Sequence, residues 1–212
     1  MLFDIHSHFK SHKDIVIVNE SEDSEDLADF FSIGIHPWNA SLNEENFLRV
    51  LEKGNLENCL AIGEIGLDKI SEKPFELQIN CFRAQLIIAE SLNLPVILHC
   101  VKSWNEIKAI FKEKSRRQNW IYHGFNKVAI LEDVIETGLM ISIGASILSN
   151  LKLQEVIYKI PNNQLLLETD DSEINIFEIY QKISEIKKIS LPELKAIILN
   201  NFQNTFTKWS IG

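Results

Sequence analysis

A (β/α)8 TIM barrel is predicted for this 212-residue chain by three observations. Eight short, strand-like apolar runs alternate with helical patterns, which is the order that α/β folds with a parallel sheet require. Runs such as PVIL (95–98) and QLLL (164–167) are apolar on both faces, as expected for parallel strands covered by helices. Five of the runs end in side chains that can bind a metal, and barrel enzymes keep their chemistry at that end of the strands.

The predicted strands are runs rich in apolar and β-branched residues that end at polar or turn residues. They cover residues 2–6, 14–18, 29–35, 58–63, 94–99, 119–123, 138–143 and 163–168. Helical patterns fill most of the intervals, and the clearest is the broad apolar stripe between residues 75 and 92. The predicted helices cover residues 43–53, 75–92, 103–117, 126–137, 149–159, 173–188 and 192–206.

The predicted barrel is trimmed in three places. About ten residues separate the first two strands, which is too few for a full crossover helix. The second connection, ESEDSEDLAD (20–29), holds at most a short acidic helix, and the chain enters a helix directly after the last strand. Barrels of ~250 residues are typical and about 200 is the lower end, so the length fits a shortened member. With no linker or repeat in sight, we expect a single domain over residues 1–212.

Composition excludes several classes of protein. No apolar run approaches the ~20 residues of a membrane span, and the first residues carry no basic region or cleavage site. The three cysteines are an odd number at unrelated spacings, which favours buried thiols in a reducing, cytoplasmic setting. A net charge of −9 argues against broad non-specific binding of nucleic acid, although it allows a small positive patch.

The histidines follow a pattern. Five of the six come at or just after an apolar run, and His12 is the exception. In the first strand, His6 and His8 point to the same side and can bind one ion. Asp4 lies on that face one step earlier and could hold a ring N–H of a ligand histidine.

Glu64 lies in AIGEIGLD (61–68), directly after an apolar strand. A glutamate buried there without a partner would be costly, and Gly63 and Gly66 permit close approach of another backbone. A carboxylate can also bridge two cations, one oxygen to each, in a dinuclear centre. The alternative is a structural ion pair with a lysine.

Three further candidates complete the predicted metal site. His99 and His123 each end a β-run before a polar turn, where a core histidine is the alternative to a ligand. Asp170 follows the apolar run LLL and could both bind an ion and orient an attacking water. Its neighbours Glu168 and Asp171 weaken the signal, because charged clusters are usually solvated loops. We prefer Asp170 because it comes after the apolar strand and the two residues Glu168 and Thr169 that follow the strand.

The combined motifs resemble those of the TatD-type metal-dependent deoxyribonucleases of the amidohydrolase superfamily. They are FDIHSH (3–8), GIHP (34–37), AIGEIGLD (61–68), LPVILHC (94–100), YHGF (122–125), LLETD (166–170) and the closing LNNFQNTF (199–206). The resemblance implies a (β/α)8 barrel in which His6, His8 and Asp170 hold one ion. It also implies that His99 and His123 hold a second ion, that Glu64 bridges the two, and that His36 contacts the substrate.

The sequence departs from the family around the substrate. Two residues after His99 the family usually carries an arginine, and here that position is Val101. After Asp170 the usual Ser-Pro and long loop are replaced by Asp171-Ser172 and a helix. Nearby lysines are the available phosphate partners, with ordinary solvated lysines as the alternative. They are Lys69, Lys102 and Lys127.

We therefore predict a metal-dependent hydrolase that uses two divalent ions (Zn, Mn or Mg) and a water bound between them. Asp170 is the expected general base and Glu64 the other catalytic carboxylate. The family substrate is a DNA 3′ end, cleaved by a 3′ exonuclease, and a small phosphoester is also open. Two alternatives remain: amidohydrolase-type hydrolysis of a small ester, lactone or amide, and a non-catalytic metal-binding protein. Neither a membrane nor a protein partner is inferred.

Overall fold

The computed structural model describes residues 1–11, 13–113 and 118–209, and it contains an eight-stranded sheet whose strand order follows the sequence. Each of the eight predicted strands is present, with shifted ends. The strands are β1 (Phe3–Ser7), β2 (Ile15–Glu20), β3 (Phe31–Ile33), β4 (Cys59–Asp68), β5 (Val96–Val101), β6 (Trp120–Tyr122), β7 (Met140–Ile143) and β8 (Leu165–Leu167). A sequence-ordered sheet of eight strands with helices in its connections is the topology of the (β/α)8 barrel, which confirms the predicted fold class.

Seven α-helices accompany the strands in the described part of the chain. They are α1 (Glu44–Gly54), α2 (Phe75–Leu92), α3 (Trp104–Glu113), α4 (Leu131–Thr137), α5 (Leu151–Gln154), α6 (Ile176–Lys187) and α7 (Leu191–Thr205). The predicted helix 103–117 corresponds to α3, and its residues 114–117 lie outside the described residues. The predicted helix 126–137 begins as a 3-10 turn at Val128–Ile130 and continues as α4.

One helix prediction is wrong. In place of a continuous helix over 149–159, α5 spans a single turn and is followed by a 3-10 turn at Ile157–Lys159. The β-branched residues Val156 and Ile157 are poor helix formers. Pro161 then disfavours the helical region at the residue before it, and Ile160 is extended with ψ 121°.

The short connections are as trimmed as predicted. The described residues between β1 and β2 form no helix, and His12 lies outside them. The acidic segment ESEDSEDLAD holds only turns and bends after β2 ends. Lys53 of α1 fixes this segment by donating to the carbonyl oxygens of Glu22 and Ser24, each at 2.6 Å.

The chain divides into two compact units. The first unit comprises Met1–Val18 and Ile121–Thr205, and in it β8 lies beside β1. The buried Tyr180 hydroxyl of α6 donates to the Phe3 carbonyl oxygen and accepts from its N–H, both at 3.1 Å. Phe202 of α7 packs on the Phe3 ring at 4.6 Å between centroids. The closing helices therefore fix the first strand, which carries His6 and leads directly to His8.

The second unit comprises Asn19–Trp120 and the residues from Phe206 onward. Its centre is β4, which is buried along its whole length and pairs in parallel with β3 and β5. Helix α2 packs on β4 through an apolar face that includes Phe82 and Leu86. This arrangement explains the broad stripe seen in the sequence, because one face of the helix covers the sheet.

No helix among the described residues is both long and apolar enough to cross a bilayer. The three cysteines are all buried and form no disulfide with one another. The single-domain assignment over residues 1–212 stays a prediction.

Candidate metal centre

The first unit brings His6, His8 and Asp170 together. Asp170 extends β8 alongside β1, because its N–H donates to the His6 carbonyl oxygen (2.9 Å) and its carbonyl oxygen accepts from the His8 N–H (3.0 Å). Asp170 takes the left-handed conformation, with φ 58°. Its Oδ1 then lies 3.5 Å from Nε2 of His6 and 3.6 Å from Nε2 of His8. Three of the predicted ligands therefore form one cluster.

The charge of Asp170 is set by these contacts. Burial by itself would raise the pKa of Asp170, but hydrogen bonds from His6 and His8 and the nearby His123 outweigh it and lower the pKa well below its ordinary value. Asp170 is therefore an anion at neutral pH. An ionised carboxylate beside two imidazoles is a donor set that a divalent ion accepts.

Asp4 has a different role from the one predicted. Its carboxylate accepts from the Thr169 hydroxyl at 2.6 Å and the Thr169 N–H at 3.0 Å, and more distantly from the His6 N–H. Burial raises the pKa of Asp4 to about 7. Thr169 presents two donors at the end of β8, so Asp4 fixes the backbone before Asp170 rather than a histidine ring.

His123 has a carboxylate partner that the sequence analysis set aside. Nδ1 of His123 lies 3.2 Å from Oε1 of the fully buried Glu168, and that oxygen also accepts from the Gly124 N–H at 2.5 Å. In the neutral ring, Nδ1 then carries the proton and Nε2 has the lone pair, which is the tautomer that binds a metal. Ligand atoms of His123, Glu168 and Asp170 lie within 4.8 Å of one another. We call the five residues of the first unit the β1–β8 cluster: His6, His8, His123, Glu168 and Asp170.

The second unit brings Glu64 and His99 into contact. Nδ1 of His99 contacts Oε1 of Glu64, and its Nε2 lies 3.1 Å from Oδ2 of Asp68. His36 joins them, with its Nε2 3.2 Å from Nδ1 of His99 and 3.8 Å from Oε1 of Glu64. We call these four residues the β4–β5 cluster: His36, Glu64, Asp68 and His99. Glu64 is thus among histidines here, as the metal-site interpretation requires.

Asp68 orients His99 as Glu168 orients His123. Burial by itself would raise the pKa of Asp68, but bonds from Trp38, Ile70 and His99 outweigh it and lower the pKa. An ionised Asp68 favours a proton on Nε2 of His99, which leaves Nδ1 as the lone-pair nitrogen beside Glu64. Both predicted ligand histidines at strand ends therefore have a carboxylate on one nitrogen, as metal-binding histidines usually do.

His36 is arranged differently. Its Nδ1 accepts from the Trp38 N–H at 3.2 Å, so the neutral ring carries its proton on Nε2. That nitrogen, which points to Glu64 and His99, is a donor rather than a lone-pair ligand. This tautomer supports the sequence-based expectation that His36 contacts substrate instead of a metal.

Two glutamines of α2 position the β4–β5 cluster. Gln85 accepts from the Ile35 N–H at 2.7 Å and donates to the Ile35 carbonyl oxygen at 3.0 Å, which fixes the backbone before His36. Gln78 does the same for Asp68, at 2.8 and 3.0 Å. Both glutamines are buried in the helix that the sequence marked by its apolar stripe.

The close backbone approach expected at Gly66 is present. Gly66 pairs with His99 and has φ 151°, and a Cβ built there would lie 2.1 Å from the His99 carbonyl oxygen. A side chain at residue 66 would therefore push the backbones of β4 and β5 apart at His99.

Gly66→Ala is expected to destabilise the protein by about 3 kcal/mol or more, since it adds backbone strain to an overpacked contact. Urea denaturation monitored by circular dichroism measures this change. The control is Gly144→Ala, where the nearest atom to the new Cβ is 3.5 Å away and the effect should stay below about 1 kcal/mol. An equal loss of unfolding free energy in the two variants would contradict the close contact between β4 and β5 at Gly66.

The three predicted substrate lysines differ in the structure. Lys69 forms an ion pair with Glu106 at 2.5 Å and lies 5.3 Å over the Phe75 ring, so its charge is already neutralised. Lys102 follows β5 directly, is exposed and has φ 54°. Lys127 is exposed just before the turn Val128–Ile130. All three lysines stay predicted phosphate partners, and Lys69 is the one that already has an acidic partner in the structure.

Histidine and carboxylate clusters at the strand ends of a (β/α)8 barrel define a class, the metal-dependent hydrolases built on this fold. The family model described as "TatD related DNase" matches residues 5–207. The chain belongs to the TatD-related DNase family, and it is a metal-dependent hydrolase.

Individual relatives agree with this assignment. The metal-dependent hydrolase YabD of Bacillus subtilis is 28% identical over 196 residues, covering 84% of this chain and 77% of YabD. The 3′-5′ ssDNA/RNA exonuclease TatD of Rahnella is 32% identical over 164 residues, covering 71% and 62%. The crystal structure of YjjV, a TatD homologue from Escherichia coli, has a TM-score of 0.80 at 23% identity and covers 97% of this chain and 98% of that one. The similarity to the YjjV structure shows that the two proteins share a fold.

Proposed function

We propose that this protein removes nucleotides from the 3′ end of single-stranded DNA by hydrolysing phosphodiester bonds with two divalent ions. The observation that carries the proposal is the pair of clusters, each of which combines imidazoles with carboxylates that orient them. Relatives whose names state an activity support the substrate class. They include the exonuclease of Rahnella and a putative deoxyribonuclease of zebrafish that is 27% identical over 207 residues.

The residues fit divalent ions. Imidazole and carboxylate donors together suit Zn, Mn or Mg. In both His99 and His123, a carboxylate orients the ring through one nitrogen, and the other nitrogen carries the lone pair that can bind a metal, as is usual for ligand histidines. In this proposal His6, His8 and Asp170 would hold one ion, His99 and His123 would hold the other, and Glu64 would contribute to both. Bound ions of this kind polarise a phosphoryl oxygen and acidify water.

The chain's own residues would then have distinct tasks. Asp170, held as an anion beside β1, orients the attacking water and accepts its proton. His36, with its proton on Nε2, donates a hydrogen bond to a phosphoryl oxygen. Glu168 and Asp68 keep the rings of His123 and His99 in the tautomers and orientations that ligation needs.

A small phosphoester is the second candidate substrate. Val101 replaces the arginine of the family pattern, and Asp171-Ser172 leads directly toward α6 without a long loop. Both departures reduce the surface available to a polynucleotide. A screen of a single-stranded oligonucleotide, bis-p-nitrophenyl phosphate and neutral p-nitrophenyl esters separates the candidates. Cleavage of the neutral esters alone would reject the proposed phosphodiesterase.

Lys102→Ala is expected to raise KM for an oligonucleotide several-fold and to flatten its dependence on salt, because one phosphate contact is lost. Steady-state rates measured at several salt concentrations give both quantities. Lys152→Ala, which removes an exposed lysine of α5, is the matched control and should change neither. Unchanged KM and salt slope in Lys102→Ala would show that Lys102 does not replace the family arginine.

We also propose a cytoplasmic location. Burial raises the pKa of the Cys59 and Cys81 thiols, which keeps them protonated and unreactive, as expected of core thiols in a reducing compartment.

A further inference from the structure

Trp38 is the most exposed tryptophan among the described residues. It lies two residues after His36, in the 3-10 turn Pro37–Asn39, and 58% of its surface is accessible. Trp104 and Trp120 are only 6% and 4% accessible, and Trp209 is half-buried. An indole is a large apolar surface that proteins usually bury or use for binding.

The exposed ring is held in place by its polar edge. Nε1–H of Trp38 donates to Oδ2 of Asp68 at 2.7 Å, and the same oxygen lies 3.1 Å from Nε2 of His99. The ring also meets His36 edge-to-face, with centroids 5.1 Å apart and planes at 89°. A freely rotating surface side chain would have none of these contacts.

The orientation of Trp38 is thus fixed relative to the β4–β5 cluster. Asp68 Oδ2 accepts two hydrogen bonds, one from the Trp38 indole and one from His99 Nε2, and so connects the indole to a candidate metal ligand. Because the indole is hydrogen-bonded to the carboxylate that orients His99, a nucleobase attached to a phosphodiester bound at His99 would lie next to the exposed indole.

We propose that Trp38 is a stacking platform for a terminal nucleobase of the single-stranded substrate, a role that rests on the proposed nuclease function. Stacking on an aromatic side chain tolerates any base, since every base has a π-face. It also suits a chain with net charge −9 and a valine in place of the family arginine, because it gives affinity without further positive charge. Trp38 is therefore a substrate-positioning residue.

The test compares two single-stranded oligonucleotides, identical except that one has abasic residues at its last two 3′ positions. Their dissociation constants are measured by fluorescence anisotropy in chelator, where no cleavage occurs, and their KM values with Mn²⁺. The proteins are wild type, Trp38→Ala, Trp38→Phe and Tyr158→Ala. Tyr158 is a 61% exposed aromatic residue of the first unit and is the matched control.

Trp38→Ala should weaken binding of the normal oligonucleotide about tenfold and leave the abasic one unchanged. Wild type should lose a similar factor when the terminal bases are removed. Trp38→Phe keeps an aromatic face and should recover most of the loss, and Tyr158→Ala should bind as wild type does.

Equal weakening of both oligonucleotides by Trp38→Ala would indicate a structural disturbance of Asp68 and His99 and overturn the platform. Normal binding by Trp38→Ala would also overturn it. If wild type neither binds nor cleaves either oligonucleotide, the proposed nuclease function fails as well. If wild type cleaves both equally well, only the role of Trp38 fails.

Discussion

Replacing Glu64 by glutamine is expected to lower the rate of hydrolysis by about a thousandfold or more, because it removes the charge assigned to both ions while keeping the volume. Glu64 contacts His99, and ligand atoms of Glu64, His99 and His36 lie within 4.8 Å of one another. We expect the variant to keep its fold and to bind less metal. Turnover, metal content by plasma mass spectrometry and circular dichroism together measure these outcomes.

The matched control is Glu57→Gln, which makes the same chemical change at an exposed position shortly before β4. It should leave turnover and metal content unchanged. Near-normal turnover of Glu64→Gln with a full metal complement would eliminate Glu64 as a bridging ligand. Loss of turnover with full metal content would instead leave it a catalytic role without ligation.

Asp170→Asn is expected to reduce kcat by about 10²–10⁴-fold, since the amide can neither accept the proton of the attacking water nor supply the same charge to an ion. The contacts with His6 and His8 that keep Asp170 ionised are lost as charge interactions in the variant. Single-turnover rates on a 5′-labelled oligonucleotide isolate this step from product release.

Asp171→Asn is the control, because it neutralises the adjacent, exposed carboxylate of the same segment. Its rates should match those of wild type. A comparable loss in both variants would indicate that the segment needs negative charge in general, and the specific role of Asp170 would be rejected.

Much of this arrangement could be predicted because strand periodicity is local. Alternation puts His6 and His8 on one side of β1, and the apolar runs before Glu64, His99 and His123 mark where the strands end. Alternation does not extend to Glu168 and Asp170, which follow β8 and end in the left-handed conformation of Asp170. The sequence therefore made them look like alternatives, although ligand atoms of both lie within 4.8 Å of each other.

The supporting contacts could not be predicted because they join residues far apart in sequence. Gln78 and Gln85 look like polar positions on an amphipathic helix, yet they hold the backbones of Asp68 and Ile35. Nothing local in the sequence shows that Lys69, although exposed like Lys102, pairs with Glu106. In both cases the packing of α2 or α3 against the strands decides the partner.

Helix 149–159 failed for a different reason. The buried residues Leu153, Ile157 and Ile160 are spaced as on one face of a helix. This spacing shows which side of the segment is buried, but it does not require a continuous helix. Short α and 3-10 turns present the same face. Local backbone preferences before Pro161 then decide the geometry.

The central claim is that the histidine–carboxylate clusters hold ions with which the chain shortens DNA from its 3′ end. The most direct test is digestion of a 5′-labelled single-stranded oligonucleotide by chelator-treated protein to which Mn²⁺, Mg²⁺ or Zn²⁺ is restored. We expect no cleavage in chelator, and with at least one ion we expect a ladder that shortens one nucleotide at a time from the 3′ end. Cleavage that persists in chelator, or an intact oligonucleotide with every ion, would contradict it.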